Sequence, residues 1–314
     1  VSAGDAHTCG ITTALELYCW GSNNSGQLGD GTTNSRTAPT LIGEGISWRN
    51  VTAGHSRTCG ITQAAALYCW GSDSLGRLGT GTWNGPNQLS PVQIGVLGTR
   101  WLTTFLAFYH GCGLQEDGSL WCWSGNGDGE QGTNASTTHS PTQVAGDVAC
   151  WRDAALSFGG SLTLDEDLKL FGFGKDLYRR LNLPDNSAEA CSDDESSMCA
   201  REPSQSADLG SWRSVGLGWW HGAGVKTDGT LWGWGGNEDG ESPFGKPESA
   251  VFPAMKVEID GATLPLDVVV VGRNHTCVRD SDSDLWCAGR NGSGQLGRGN
   301  SDGYGEEFSR VIVP

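Results

Sequence analysis

Three short segments in residues 1–43 decide the fold: VSAGDAHTCGIT at 1–12, LYCWGSNNSGQLGDGT at 17–32 and APTLIG at 38–43. The same segments return in the same order as WRNVTAGHSRTCGIT at 48–62, LYCWGSDSLGRLGTGT at 67–82 and SPVQIG at 90–95. Four more divergent copies follow, and the last one ends with FSRVIVP at 308–314. Six copies account for nearly all of the 314 residues, so the sequence predicts a repeat architecture.

Each copy holds about four strand-like runs that are separated by Gly, Asn and Asp turns, and Asp117-Gly118 and Asp228-Gly229 are hairpin signals. No window shows the apolar stripe of an amphipathic helix. The repeat therefore predicts an all-β fold, a β-propeller of six four-stranded blades in a single domain over residues 1–314. We expect the terminal strands to close the ring; the alternative is a seven-bladed propeller with one blade missing from this chain.

The step from the fourth to the fifth copy is lengthened by an acidic, Ser-rich insertion at residues 185–203. Loops that a rigid scaffold holds at its surface are common binding elements. We therefore expect this insertion to make a partner-specific contact.

Four cysteine pairs share one spacing: Cys9/Cys19, Cys59/Cys69, Cys112/Cys122 and Cys277/Cys287. Adjacent antiparallel strands joined by a short turn would bring each pair to disulfide distance. The fourth and fifth copies align Gly160/Leu170 and Ala223/Gly233 with these positions, so they lack both cysteines together. Because the two cysteines are present or absent as a pair, a disulfide bond between them is favoured. Zinc binding is the competing interpretation, but the short CxxC spacing typical of zinc sites is absent.

Three of the 11 cysteines remain. Cys191 and Cys199 lie close together in the insertion and are predicted to bond to each other. Cys150 is then left as a buried structural thiol or as a link to a neighbouring molecule. Because disulfides persist in oxidising compartments, we expect the protein to be secreted or displayed at a cell surface.

N-x-S/T acceptor sequences for N-linked glycans favour the same compartment if the source is eukaryotic. The five predicted acceptors are Asn23, Asn50, Asn134, Asn274 and Asn291.

The repeat resembles that of the regulator of chromosome condensation family. In the first copy the resemblance rests on His7-Thr8, Trp20-Gly21 and Gln27-Leu28-Gly29, and in the last on His275-Thr276 and Gln295-Leu296-Gly297. The family implies a β-propeller, usually of seven blades. It also implies two functions, nucleotide exchange on a small GTPase inside the cell and protein binding by disulfide-containing extracellular members.

Charge argues against nucleic acid as a partner, because 36 Asp and Glu outnumber 20 Lys and Arg and give a net charge of -16. No basic patch is visible. No stretch approaches the ~18 consecutive apolar residues of a membrane-spanning helix. We therefore expect neither a nucleic-acid partner nor a membrane span in this chain.

No catalytic constellation can be assembled from the sequence. His7, His110, His221 and His275 share one repeat position, which is typical of a structural hydrogen bond in each blade. His55 and His139 lie outside that position and have no evident acid or metal partner. We predict a protein without catalytic residues, cofactor or metal, and not an enzyme.

The alternation Asp280, Asp282, Asp284 resembles the start of a calcium loop. It lacks the Gly and the distal Glu that complete an EF-hand, so a solvated turn is favoured.

Tryptophans at two recurring positions are predicted to pack the core. Trp83, in a loop, and the Trp219-Trp220 pair lie outside these positions, and we interpret them as a binding surface.

The sequence as a whole favours a non-enzymatic extracellular interaction or structural module, such as a building block of a surface layer, sheath, filament or appendage. Expected partners are other proteins or glycans, including further copies of this chain. The alternatives are an exchange-factor-like regulator of a small GTPase and a secreted binder or inhibitor of another protein.

Overall fold

A computed structural model describes residues 1–134, 137–185, 187–191, 198–236 and 251–312. These residues form β-strands arranged in six antiparallel sheets, with two short 3₁₀ turns. The all-β, six-bladed prediction is confirmed. The fold divides into two compact units, residues 1–151 (unit 1) and 152–314 (unit 2), which are described separately.

Unit 1 contains three blades whose strands pair in chain order. Blade 1 is β1 (Ser2–Ala3), β2 (His7–Ile11), β3 (Leu17–Gly21) and β4 (Arg36–Ile42); blade 2 is β5 (Trp48–Ala53), β6 (Arg57–Thr62), β7 (Leu67–Gly71) and β8 (Gln88–Gln93); blade 3 is β9 (Trp101–Leu106), β10 (His110–Gln115), β11 (Leu120–Ser124) and β12 (Thr142–Gln143).

Unit 2 contains the other three blades, and the first strand of blade 4 begins at the unit boundary. Blade 4 is β13 (Trp151–Ser157), β14 (Gly160–Asp165), β15 (Leu170–Lys175), β16 (Glu189–Ala190) and β17 (Met198–Gln205); blade 5 is β18 (Trp212–Leu217), β19 (His221–Lys226), β20 (Leu231–Gly235) and β21 (Val251–Val257); blade 6 is β22 (Val268–Val271), β23 (His275–Arg279), β24 (Leu285–Arg290) and β25 (Tyr304–Arg310). The terminal strands β1 and β25 pair inside their own blades, so closure of a ring by these strands stays a prediction.

Pairs of tryptophans fill the cores of blades 2, 3 and 5, as the recurring positions predict. Trp48 meets Trp70 edge to face with ring centroids 5.7 Å apart, and both indoles are buried. A glycine makes room for each pair, because a Cβ on Gly60 would lie 2.6 Å from Trp48. Equivalent pairs are Trp101/Trp123 over Gly113 and Trp212/Trp234 over Gly224.

The same indoles also connect successive blades. Trp70 Nε1 of blade 2 donates a hydrogen bond to the carbonyl oxygen of Gln27 in blade 1 at 3.0 Å. Trp123 donates to Arg77 O at 3.0 Å, and Trp234 donates to Arg180 O at 2.7 Å. A buried N–H thus finds its acceptor in the neighbouring blade, which couples blade packing to the repeat.

Blade 4 departs from the sequence alignment in two respects. Its register pairs Leu162 with Gly172 and Gly160 with Gly174, so Leu162/Gly172 replaces the cysteine pair, and the predicted alignment of Gly160/Leu170 was wrong by two residues. Residues 198–203, assigned to the insertion, belong to the outer strand β17. The two-residue strand β16 then pairs with β17 and makes this sheet five-stranded instead of four-stranded. Residues 186 and 192–197 of the insertion lie outside the described residues.

Candidate functional site

All five predicted disulfides are present. The four repeat-locked bonds join the second and third strands of their blades, with Cα–Cα distances of 4.1, 4.1, 4.0 and 4.2 Å for Cys9–Cys19, Cys59–Cys69, Cys112–Cys122 and Cys277–Cys287, respectively. In each bond the two cysteines are direct partners in the strand register, and the member on the third strand is buried, as Cys122 and Cys287 are in blades 3 and 6.

Cys191 and Cys199 form the fifth bond, at a Cα–Cα distance of 5.1 Å, and fasten the β16 segment to β17. Sulfurs bonded to each other are not free to bind zinc, so the zinc interpretation is wrong for the ten bonded cysteines.

The turns between the first and second strands of the blades form a repeated structural position. In blades 1, 2, 3, 5 and 6 a two-residue turn is closed by a backbone hydrogen bond, such as Gly218 N to His221 O at 2.8 Å. The first residue of each turn lies at the same end of its sheet, and we call this place the turn position. The turn position holds Asp5, His55 and Phe108 in unit 1, and Phe158, Trp219 and Arg273 in unit 2. Trp219 and His55 therefore share a further repeat position, distinct from the recurring histidine and tryptophan positions seen in the sequence.

The three turn-position side chains of unit 2 form a column that we call the Trp219 stack. The Phe158 ring lies 4.8 Å from the Trp219 ring at an interplanar angle of 35°. The Arg273 guanidinium lies over the same indole, 3.5 Å from the ring centroid. Since Phe158 belongs to blade 4 and Arg273 to blade 6, the indole of blade 5 is held between a phenyl ring and a cation.

Two further aromatic rings extend the stack. Trp220 lies 6.2 Å from Trp219, and Tyr178 lies 5.6 Å from Trp220, both edge to face. Tyr178 is 45% exposed, Arg273 is exposed, and the two tryptophans are half-buried. Trp, Tyr and Arg are the residues most enriched at the energetic centres of protein interfaces. This composition therefore suits a protein-binding surface.

Buried groups below the stack hold the Trp219-Trp220 turn in place. Arg180 Nη1 donates to Trp219 O at 2.7 Å, Trp219 N donates to Arg273 O at 3.2 Å, and Gly236 N donates to Trp220 O at 2.7 Å. The Arg180 side chain occupies space above Gly160, where blades 1, 3, 5 and 6 carry a histidine and blade 2 carries Arg57. Burial lowers the pKa of Arg180 to about 10, so the guanidinium stays charged at neutral pH.

Unit 1 has a counterpart at its own turn position. The His55 ring stacks on Phe108 at 4.5 Å, and His55 Nδ1 contacts the Asp5 carboxylate. Arg77 lies 4.9 Å from the centroid of Phe108 and 5.5 Å from that of Tyr109. No acid partner of His55 is evident in the sequence, and the structure identifies Asp5 as that partner.

Trp83, in a loop of unit 1, is 55% exposed. Its ring stacks against His139 with centroids 5.1 Å apart. The predicted binding residues therefore separate into Trp83 in unit 1 and Trp219 with Trp220 in unit 2.

The repeat-position histidines His7 and His221 act as neutral structural groups. Thr58 Oγ1 donates to Gln27 O at 2.7 Å and so accepts from His7 Nε2 at 2.8 Å. His221 Nε2 lies 2.8 Å from Thr276 Oγ1, the equivalent contact between blades 5 and 6. Burial lowers the pKa of His7 to about 4 and that of His221 to about 3.

Asn23 and Asn291 belong to a recurring loop contact. Asn23 Oδ1 accepts the N–H of Leu28 at 2.9 Å, and its Nδ2 donates to Asp30 and to the carbonyls of Thr32 and Asn34. The same acceptor recurs at Asp73, Asn126, Asp176 and Asn291, each bonded to the backbone N–H five residues later.

Burial of these amides bears on the predicted glycan acceptors. Asn23, Asn274 and Asn291 are at most 5% exposed, and a sugar on a buried Nδ2 would not fit this packing. The structure argues against modification at these three positions. Asn134 is exposed and Asn50 is half-buried, so glycosylation stays a prediction for these two residues.

Two other features need no ligand. Asp280 accepts N–H groups from Asp282 and Asp284 on Oδ1 and from Trp286 on Oδ2, as a closed turn requires.

Cys150 is a half-buried free thiol whose Sγ lies 4.0 Å from Asp117 O. Among the residues that the structure describes, no helix is long and apolar enough to cross a membrane.

Comparison with known proteins identifies the repeat. Two profiles, both of the "Regulator of chromosome condensation (RCC1) repeat", match residues 16–61 and residues 1–27, 212–241 and 268–295. The matched residues are RCC1-type repeats, and the fold is an RCC1-type β-propeller. Human WBSCR16 superimposes with a TM-score of 0.85 at 19% identity, covering 100% of this chain and 82% of that one.

Two further relatives share the repeat fold. Prp20p from Saccharomyces cerevisiae, a protein with binding properties toward Gsp1p and histones, superimposes with a TM-score of 0.81 at 17% identity and covers 99% of this chain and 76% of that one. Ultraviolet-B receptor UVR8 from Arabidopsis thaliana is 26% identical over 306 residues, which are 96% of this chain and 67% of that protein. At these identities the two solved structures establish the fold of the RCC1-repeat chain and not its partners.

Proposed function

We propose that this RCC1-repeat propeller is a non-enzymatic protein-interaction module of an oxidising, extracytoplasmic compartment. The observation that carries the proposal is the Trp219 stack with Trp220 and Tyr178, which reaches solvent on a scaffold fastened by five disulfides. Repeat-locked disulfides support the compartment, because paired thiols would stay reduced in the cytosol or nucleus. A solvent-reaching cluster of Trp, Tyr and Arg supports protein binding.

Within this class we favour a building block of a surface layer, sheath, filament or appendage, with other proteins, glycans or further copies of this chain as partners. Cys150 supports this finer proposal because it is left over after the other ten cysteines have paired. Replacing Cys150 by Ser should abolish any disulfide-linked dimer on a non-reducing gel. A dimer that persists in this variant would contradict the role of Cys150.

Regulation of a small GTPase is a second candidate, favoured by the fold shared with Prp20p, which binds Gsp1p. The two candidates differ in redox state. An exchange factor works among reduced thiols, whereas the extracytoplasmic module requires oxidised ones. A secreted inhibitor of another protein would use the same surface as the favoured module and differs only in its partner.

The interaction surface can be tested with a photo-crosslinking residue, p-benzoylphenylalanine, placed at Tyr178 in the oxidised protein. We expect a discrete adduct with a component of the extracellular fraction of the source cells, and its loss when Trp219 is also changed to Ala. The same residue placed at Trp83 is the control, because Trp83 is exposed but lies outside the stack. Equal adducts from both positions, or an adduct that is indifferent to Trp219, would contradict the proposal.

A further inference from the structure

Arg273 differs from most cations of this acid-rich chain. Of the described Lys and Arg side chains, ten pair with a carboxylate, namely Arg36, Arg49, Arg100, Lys169, Arg179, Arg201, Lys226, Lys256, Arg279 and Arg310. Arg273 is exposed and lies on Trp219 instead, with no carboxylate at ion-pair distance within the described residues. Arg152, Arg213 and Arg290 are also exposed and have no ion pair within the described residues, so what distinguishes Arg273 is its position on an indole ring.

Unit 1 repeats this arrangement with different residues. Arg77 lies against Phe108 and Tyr109, and again no described carboxylate is within ion-pair distance. Both arginines come from turns at the end of the sheets where the turn position lies. Within the described residues, each unit therefore holds an arginine that lies on aromatic rings and has no acid partner.

Stacking determines what such an arginine can bind. A guanidinium that lies flat on an indole is attracted to the ring face and keeps its N–H groups at the edge for other acceptors. A carboxylate accepts two of these N–H groups side by side. Trp220 lies 6.2 Å from the Trp219 ring that carries Arg273, and Tyr178 lies 5.6 Å from Trp220, so these two rings offer apolar contact area beside the same indole.

We propose that the Trp219 stack, with Trp220 and Tyr178, binds an acidic peptide segment of a partner protein in which Asp or Glu adjoins an apolar side chain. The inference rests on the proposed function and names the chemistry of its partner. The carboxylate bonds to the edge of the Arg273 guanidinium, and the apolar neighbour packs on the aromatic rings. Charge complementarity favours an acidic partner, because Arg273 is a cation without a carboxylate partner among the described residues.

A polyanion such as a sulfated glycan is the less favoured source of the same anionic chemistry. Polyanions bind to several spaced cations, whereas the nearby Arg179 is already paired with Asp185. The net charge of -16 also repels an extended polyanion more than a short peptide that carries one or two acids.

The test is a selection of random 12-residue peptides displayed on phage against the immobilised, oxidised protein. We expect enrichment of sequences with Asp or Glu beside Leu, Ile or Phe. Synthetic versions of these peptides should lose about tenfold in affinity when Arg273 is changed to Gln, the size of effect expected for an arginine at an interface centre. Arg290→Gln is the matched control, because Arg290 is exposed in the same blade and makes no aromatic stack in the described structure.

The outcomes separate this inference from the proposed function. Selected peptides that depend on Trp219 but lack acids, or that bind R273Q and wild type equally, would overturn the acidic partner and leave a protein-binding surface. Failure to enrich any sequence, together with tight heparin binding that R273Q weakens, would replace the peptide by a polyanion. Peptides that are indifferent to both Trp219 and Arg273 would contradict the site itself.

Discussion

Asp176 is a buried carboxylate at a loop position where three other blades carry asparagine. Its Oδ1 accepts the N–H of Leu181 at 2.7 Å, the contact that Asn23, Asn126 and Asn291 make in their own blades. Burial raises the pKa of Asp176 from 3.8 to about 6 despite that hydrogen bond and the nearby Arg180. The folded protein therefore holds a carboxylate above pH 6 in a place that suits a neutral acceptor.

Asp176→Asn should stabilise the protein at neutral pH. A pKa raised from 3.8 to about 6 corresponds, at about 1.4 kcal/mol per pKa unit, to about 3 kcal/mol of lost stability above pH 6. Below pH 3.8 both the folded and the unfolded states are protonated, and the cost disappears. The gain from Asp176→Asn should thus be largest above pH 6, diminish between pH 6 and 3.8, and approach zero below.

Urea unfolding followed by intrinsic fluorescence at pH 7.5 and at pH 4 measures both ends of this range. The matched control is Asp73→Asn, in the equivalent loop of blade 2. Asp73 Oδ2 accepts the hydroxyl protons of Thr80 at 2.6 Å and Thr82 at 3.3 Å, so an amide there loses an acceptor and should destabilise. A D176N protein that is less stable than wild type at pH 7.5 would refute the reasoning.

Three further predictions use the same assay. Replacing Cys59 and Cys69 by Ser removes the disulfide that closes a loop whose ends are 10 residues apart, and should lower the free energy of unfolding by about 3 kcal/mol. The control is wild type with its disulfides reduced, which should lose at least as much stability; a larger loss in the variant would contradict this assignment. Gly60→Ala should cost more than about 2 kcal/mol because its Cβ would meet Trp48 at 2.6 Å, whereas Gly10→Ala, with its nearest contact at 3.5 Å, should be tolerated; equal losses would count against the packing argument. Because the His7 pKa is about 4, the unfolded chain takes up a proton below pH 6.5 and the folded chain does not, so the free energy of unfolding should fall by up to about 3 kcal/mol between pH 6.5 and 4. His7→Gln should lack this part of the pH dependence, and an unchanged pH dependence would argue against a neutral His7.

The repeat period made the blades predictable from the sequence. Four short strands per copy cannot bury their faces alone, so stacked four-stranded sheets follow. Cysteine spacing predicted the disulfides because the second and third strands are joined by a turn of fixed length. Cys9 and Cys19, for instance, are directly opposite in register.

Contacts between side chains of different blades could not be predicted from the repeat period. His55 and its partner Asp5 are 50 positions apart, and their contact depends on how neighbouring blades pack. Blade 4 was misaligned because it has lost both the cysteines and the histidine, whose place is taken by Arg180 from another loop. The acceptor that recurs at Asn23 and Asn291 was visible as an Asn or Asp four residues after the second cysteine. Because Asn23 and Asn291 also begin N-x-S/T sequences, they were predicted to be glycan acceptors instead.

The central claim is a disulfide-fastened interaction module outside the reducing cytosol. The most direct test is the intact mass of the protein from its natural source, alkylated under denaturing conditions before and after reduction. We expect no more than one alkyl group before reduction, on Cys150, and 11 after it, as the 11 cysteines require. Eleven alkyl groups before reduction would contradict the account and favour the small-GTPase regulator.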